Sequence, residues 1–232
     1  MCLDIDDTLI NFTAAGRRSL EGLIGRADMW PLWERVTDDH VARVVAGELA
    51  YAEMHRSRTA AFLAELGVHV DPEQALDFED RRTALLRRSW RLFDDVLPCL
   101  EWLATAGVTL AAVTNASGGH QREKLARLGL GTTFDYVAIA GEMGVAKPDP
   151  VMFHKVCSAV GCDPDHAVHV GDKLTTDAVG ARDAGLTGVW LDRHDTGPDG
   201  GVPEGVQVVH TLAELPELLV SEFARVGVPA QR

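Results

Sequence analysis

The chain is 232 residues long, 46% hydrophobic and of mean hydropathy −0.01, with a net charge of −13. Length and apolar content suit one sizeable core plus an insert, while the acidic balance argues against a nucleic-acid partner, which demands basic surface to neutralise phosphates. No stretch is long and apolar enough to span a bilayer and the start Met1-Cys2-Leu3-Asp4 has no basic leader, so a cytoplasmic location without a membrane partner is expected.

The first element is the apolar start Met1-Cys2-Leu3, followed by Asp4-Ile5-Asp6-Asp7-Thr8-Leu9. If a strand runs through Leu3 to Ile5, alternation aims Asp4 and Asp6 the same way, unless the backbone turns just after Asp4. In either case two carboxylates stand at the carboxyl end of a strand, where open α/β sheets bind ligands. There they suit the roles of nucleophile and proton donor in phosphoryl chemistry. The spacing alone is not decisive: Asp163-Pro164-Asp165 repeats it and reads as a helix start, with Asp163 as N-cap and proline at the first helical position.

A helical block follows. Val41, Val44 and Leu49, then Met54, Phe62 and Leu66, then Phe78, Leu85, Leu86, Trp90 and Phe93 recur at helical spacing, with Gly67 as a stop and Asp71-Pro72-Glu73 as a start. Residues 17 to 91 hold 12 arginines, no lysine and 13 acids, so nearly all the net negative charge lies elsewhere. Strands resume after Pro98. Val108 to Thr114 is an apolar, β-branched run ending in Thr114-Asn115, a hydroxyl and an amide suited either to bonding a phosphate oxygen or to capping the next helix.

Asp135 to Ala140 reads as another strand. It leads into Gly144-Val145-Ala146-Lys147-Pro148-Asp149-Pro150, where a proline holds Lys147, one of only four lysines, in extended geometry before a helix running to Gly161. Ala167 to Gly171 is a strand that ends in Asp172, with Asp177 five residues on; capping is the alternative reading of both acids. A small-residue helix to Gly185 and a strand around Val189 continue the alternation to about Val209. Thr196 to Gly201 reads as a flexible loop, and the helix bearing Leu212, Leu215, Leu218 and Leu219 packs on the sheet. Alternation with one helical insertion predicts an α/β fold, a parallel sheet with helices on both faces. The four cysteines (Cys2, Cys99, Cys157, Cys162) include no Cys-x-x-Cys pair and read as buried thiols, and the nine histidines lack ligand spacing.

Acid pair, hydroxyl, lysine and acid pair, each directly after its own strand, resemble the four signature motifs of the haloacid dehalogenase superfamily of hydrolases. The matching residues are Asp4-x-Asp6-x-Thr8, Thr114, Lys147 and Gly171-Asp172-x-x-x-x-Asp177, and the likeness covers the whole chain. The loop around Lys147 and the stretch Gly185 to Leu191 are similar to the small-molecule phosphatase branch that includes nucleotide 5′-phosphatases and N-acylneuraminate-9-phosphatase. The resemblance implies a doubly wound, Rossmann-like core of residues 1–11 and 97–232 with an α-helical cap of the C1 type inserted at 12–96.

It also implies Mg²⁺-dependent hydrolysis of a small phosphate monoester, a phosphorylated sugar or nucleotide. Asp4 attacks phosphorus to give an aspartyl-phosphate; Asp6 protonates the departing alcohol and then activates water. Lys147, Thr114 and Asn115 hold the phosphoryl group, and the Asp4 carboxylate, the Asp6 backbone carbonyl and Asp172 bind the metal. Asp177 acts through a water or by orienting Lys147. The cap closes over the site, with Arg17 and Arg56, and beside them Arg18 and Arg58, as candidate contacts to an anionic leaving group. A phosphomutase shares this core and stays open as an alternative, as does a non-catalytic binding protein; a dehalogenase lacks the acid found here at Asp6. Oligomeric state is not readable. Because only three residues precede Asp4, the first strand is expected to begin late, with upstream residues missing from it.

Overall fold

The structure, a computed structural model, describes residues 1–116, 118–198 and 200–223. Asp199, within the loop predicted to be flexible, lies outside them. The chain divides into two compact units, Phe12–Trp90 and the remainder, Met1–Asn11 with Arg91 onward.

The first of these is helical: α1 (Phe12–Ile24), α2 (Trp30–Val45), α3 (Tyr51–Glu65) and α4 (Pro72–Ser89). Helix α4 starts where Asp71-Pro72 predicts. The Asp71 carboxylate accepts from the Glu73 and Gln74 N–H groups, and the Gln74 side chain returns a bond to the Asp71 N–H, a reciprocal cap. The core is built from Leu20, Trp30, Trp33, Val36, Phe62 and Leu63. This differs from the predicted face of α2: Val41 is exposed, and the buried positions are Trp30, Trp33, Val36 and His40, a stripe three to four residues apart beginning about three turns earlier than the valine run suggests.

The other unit is a six-stranded parallel sheet, β1 (Cys2–Leu3), β2 (Ala111–Thr114), β3 (Tyr136–Ile139), β4 (Val168–Gly171), β5 (Thr187–Leu191) and β6 (Val206–Val209), ordered β3-β2-β1-β4-β5-β6. Between and after them run α5 (Val96–Thr105), α6 (Gly118–Arg127), α7 (Ala140–Met143), α8 (Pro150–Val160), α9 (Gly180–Asp183) and α10 (Leu215–Phe223). Every residue of β2 and β4 is buried, as parallel strands covered by helices require. Met152 and Val156 of α8 pack with Cys2, Ala111, Val113 and Ala138, while Phe153 and Cys157 meet Ala167, Ala181 and Leu186. Among the described residues no helix is long and apolar enough to cross a membrane.

Strand β1 is short but central: Leu3 pairs with Ala112 on one side and Val170 on the other, and the Asp4 N–H extends the ladder to the Val170 carbonyl at 2.9 Å. The strand order changes direction here, outward through β2 and β3, then back across to β4. That switch point puts Asp4 and Asp172 at the carboxyl ends of neighbouring strands, the position at which doubly wound sheets bind ligands.

Residues 91–96, read above with the helical block, group instead with the sheet. The Asn11 N–H bonds the Arg91 carbonyl at 3.0 Å, the Phe93 N–H bonds the Leu9 carbonyl at 3.1 Å, and Asp95 holds Arg193, so the insert closes at Trp90. Asp163 makes no side-chain cap to the short 3₁₀ turn Pro164–His166 that follows it.

Candidate active site

Asp4 leaves β1 still in ladder register, but the chain then folds tightly. The Ile5 carbonyl accepts from the Leu9 and Ile10 N–H groups, both at 3.0 Å, and Asp7 takes φ 57°, a left-handed conformation that short polar side chains tolerate. The turn, rather than strand alternation, therefore sets the direction of Asp6. Asp4 is buried and meets Lys147, whereas the Asp6 carboxylate meets α6.

Lys147 is the hub. Its Nζ lies 2.6 Å from Asp4 Oδ1, 2.7 Å from Asp177 Oδ1 and 2.7 Å from the Val113 carbonyl, and the side chain is 2% exposed. Its backbone is pinned by Asn115, whose amide donates to the Lys147 carbonyl at 2.7 Å and accepts from its N–H at 2.8 Å. Asn115, expected to hold phosphate, has its amide directed to this backbone instead: a side-chain amide matches a peptide's donor and acceptor pair, and β2 ends beside the Lys147 loop.

Thr114 is buried at the tip of β2. Its Oγ1 accepts from the Ala116 N–H at 3.3 Å and from Gln121 Nε2 at 3.2 Å, which occupies both lone pairs and leaves the hydroxyl proton to be donated elsewhere. Thr8 reaches across the switch point, its Oγ1 accepting from the Asp172 N–H at 3.1 Å.

The carboxylates of Asp4, Asp172 and Asp177 have oxygens within 4.8 Å of one another. Burial pushes Asp4 up to about 8, with the Asp177 and Asp172 charges adding to it and Lys147 opposing; burial likewise pushes Asp172 up to about 6. Asp177 is held well below the usual carboxylate range: burial would raise it, but Lys147 and His169 outweigh that. Lys147 stays above its ordinary value because Asp4 and Asp177 outweigh its burial, while burial lowers His169, whose neutral ring then donates from Nε2 to Asp177 Oδ1 at 3.1 Å.

Lys147 thus serves two of the three carboxylates, Asp4 and Asp177, while Asp172 meets the exposed Lys173 at 3.5 Å. This all-oxygen donor set, crowded and largely withdrawn from water, fits a hard divalent cation, which would relieve the repulsion that raises Asp4 and Asp172. The side-chain cluster contains the expected Asp4 and Asp172 and adds Asp177; Asp6 was expected to contribute its backbone carbonyl, not its carboxylate. Asp177 is tied to Lys147, His169 and the Lys173 N–H, which marks it as a group that orients the lysine. Gly171 is required beside it, since a Cβ there would collide with the Asp177 carboxylate.

Gln121 and Lys124 escaped the sequence reading. Gln121 Nε2 donates to Asp6 Oδ2 at 2.7 Å and Lys124 Nζ pairs with Asp6 Oδ1; both side chains are buried. The available signal was their spacing: three apart on the helix following Thr114-Asn115, they share a face, and Lys124 is one of four lysines. Of the cap candidates, Arg17, Arg18 and Arg56 are exposed on the helical unit, Arg56 beside Glu53 at 3.5 Å. Arg58 is corrected outright: it is buried, 2.7 Å from Glu79 and stacked 4.4 Å from the Trp33 ring centroid, so its charge is engaged inside the unit.

A profile of the haloacid dehalogenase-like hydrolases matches residues 1–185. Glyceraldehyde 3-phosphate phosphatase of Methanopyrus kandleri is 31% identical over 82% of this chain and 82% of its own length. Phosphoserine phosphatase of Thermus thermophilus is 41% identical over 46% of this chain, and N-acylneuraminate-9-phosphatase of Mus musculus 36% identical over 59%. The chain spans only 43% and 55% of those two relatives. Among solved structures, the hydrolase YfnB of Bacillus subtilis superposes with a TM-score of 0.78, covering 94% of this chain and 96% of that one at 24% identity, a likeness of fold.

Proposed function

This chain belongs to the haloacid dehalogenase-like hydrolase family, and from that premise we propose that it hydrolyses small phosphate monoesters through an aspartyl-phosphate on Asp4. The observation that carries the reading is Lys147 bridging Asp4 and Asp177 at 2.6 and 2.7 Å beside Asp172. Lys147 engages Oδ1 of Asp4, so Oδ2 is the oxygen offered to phosphorus. The ammonium favours the ionised nucleophile against the effect of burial and offsets charge on the transferring group. The Thr114 hydroxyl, with both lone pairs filled, donates its proton to a phosphoryl oxygen. Asp6 gives a proton to the departing alcohol and takes one from the water that cleaves the acyl phosphate.

Asp4 and Asp172, with the Asp6 backbone carbonyl, would hold Mg²⁺, which when bound supplies positive charge against the carboxylates and the phosphoryl oxygens. The relatives' names, glyceraldehyde 3-phosphate, phosphoserine and N-acylneuraminate-9-phosphatase, support a small phosphorylated metabolite as substrate, with sugar or nucleotide monoesters as the candidates. The test is phosphate release from p-nitrophenyl phosphate with and without Mg²⁺, by the wild type and by Asp4→Asn, followed by a panel of phosphorylated metabolites. Mg²⁺-dependent turnover that vanishes in Asp4→Asn is expected; undiminished turnover in that variant would defeat the proposal.

A further inference from the structure

The Asp6 carboxylate is held at both oxygens by one face of α6, Oδ2 by Gln121 and Oδ1 by Lys124. These holders are 1% and 3% exposed, whereas the Asp6 side chain they grip is 27% exposed. Burying an ammonium and a primary amide is costly unless they are paired; both donors bond this carboxylate, the Gln121 amide shared with Thr114, and together they fix its direction. A carboxylate accepts and cannot donate, so the Gln121 amide must present its NH₂ to Asp6, and the same NH₂ reaches Thr114 Oγ1 at 3.2 Å. That orientation leaves Gln121 Oε1 buried with no hydrogen-bond partner among the described residues. An orphaned acceptor beside Asp6 and Thr114 calls for a donor that none of the described residues provides, and a water molecule supplies one.

We propose that Gln121 and Lys124 are positioning residues for Asp6, holding its carboxylate toward the ester oxygen, and that Gln121 Oε1 accepts one hydrogen of the incoming water whose other proton Asp6 takes. The inference rests on the phosphatase reading. It follows that the clamp matters most where the leaving oxygen needs a proton. An alkoxide is a poor leaving group and depends on the acid, whereas p-nitrophenolate leaves with little protonation.

The test compares Lys124→Met, Gln121→Met and Lys124→Arg with the wild type on two substrates with Mg²⁺. One readout is the pre-steady-state burst of p-nitrophenolate, which reports the first chemical step alone; the other is kcat for glycerol 3-phosphate. Lys124→Met should lose about 10-fold or more in kcat on the alkyl ester, within the range general acid–base catalysis supplies, while its burst rate changes less than about 3-fold. Gln121→Met should lose at least as much on the alkyl ester, with a larger fall in burst rate because it also releases the Thr114 hydroxyl. Lys124→Arg, which keeps the charge, should recover most of the alkyl activity. In Lys124→Met, equal losses on both substrates would indicate a merely structural role and overturn the proposal, as would an unchanged kcat on the alkyl ester. Should Lys124→Met fail to fold, Lys124→Gln and Lys124→Arg carry the same comparison. A wild type that releases phosphate from neither ester nor any member of the metabolite panel refutes the phosphatase reading itself, an outcome distinct from equal losses in active variants.

Discussion

Asn115 and Lys147 face each other as though they were paired strand residues, the side chain of one bonding both the N–H and the carbonyl of the other. The consequence is that the ammonium is aimed from two ends, by the carboxylates at its tip and by an amide at its root. Replacing Asn115 by Ala leaves the Lys147 N–H and carbonyl without these partners, at a cost of about 1–3 kcal/mol in stability. Turnover should fall as well, because the lysine no longer sits squarely on Asp4. Thermal unfolding and kcat on p-nitrophenyl phosphate check this, and an Asn115→Ala protein matching the wild type in both would refute it. Asn115→Asp should fare no better, since a carboxylate cannot donate to the Lys147 carbonyl.

Divalent-ion binding should be visible without catalysis. A ligand that binds only the folded protein stabilises it by about 2.7 kcal/mol at a hundredfold excess over its Kd. Mg²⁺ should therefore raise the melting temperature of the sheet unit, and Asp172→Asn should abolish most of that rise because it removes one anionic oxygen from the cluster. A rise of the same size in Asp172→Asn would mean that the ion binds elsewhere.

The parts of the site that ride on strand ends were legible in the sequence, because an apolar run followed by a polar residue places that residue without further knowledge. Asp4, Thr114 and Asp172 are of this kind, while Lys147, which lies beyond α7 rather than at the end of β3, was legible from the proline that follows it. Asp6 was legible as a participant but not in its direction, since the strand yields to a turn and the left-handed Asp7 redirects the chain. Gln121 and Lys124 lie in a polar helix, where a shared face is a weak signal, and the packing of α6 against the Asp6 turn is what sets them apart from solvated residues. Arg58 failed for a related reason: an arginine in a charged helix reads as solvated until the register of α3 against α4 brings Glu79 beneath it.

That buried cluster predicts a pH dependence in the helical unit. Glu79 lies 2.7 Å from both Arg58 and Arg82, and Thr59 donates to it at 2.8 Å. Burial would raise its pKa, but the two guanidinium groups and the hydroxyl bring it down to about 2 from an ordinary 4.5. A depressed folded value means stability that is fully present above the unfolded pKa and is lost as pH falls from about 5 toward 2, in total about 3 kcal/mol. Glu79→Gln should flatten that acid limb. It should also destabilise the unit by about 3–5 kcal/mol at neutral pH by leaving two buried arginines without a counter-charge. Urea unfolding at stepped pH checks both, and an acid limb as steep in Glu79→Gln as in the wild type would rule the assignment out.

Arg193 connects the return from the helical unit to the catalytic turn. Its guanidinium forks onto Asp95 at 2.8 and 3.1 Å, lies 3.9 Å from the Phe93 ring centroid, and donates to the Thr8 carbonyl at 2.8 Å. Asp95 also accepts from Thr211 and from the Leu212 N–H, so it remains partnered when the arginine changes. Thr8 is the residue whose hydroxyl receives the Asp172 N–H, so a loosened Thr8 loosens the loop that carries a proposed metal ligand. Lysine cannot reproduce a planar fork, and Arg193→Lys should lose about 1–3 kcal/mol of stability. Its larger signature should be a several-fold rise in the Mg²⁺ concentration needed for half-maximal activity, with a smaller change in kcat at saturating Mg²⁺. An Mg²⁺ titration identical to that of the wild type would show that Arg193 supports the fold without reaching the site.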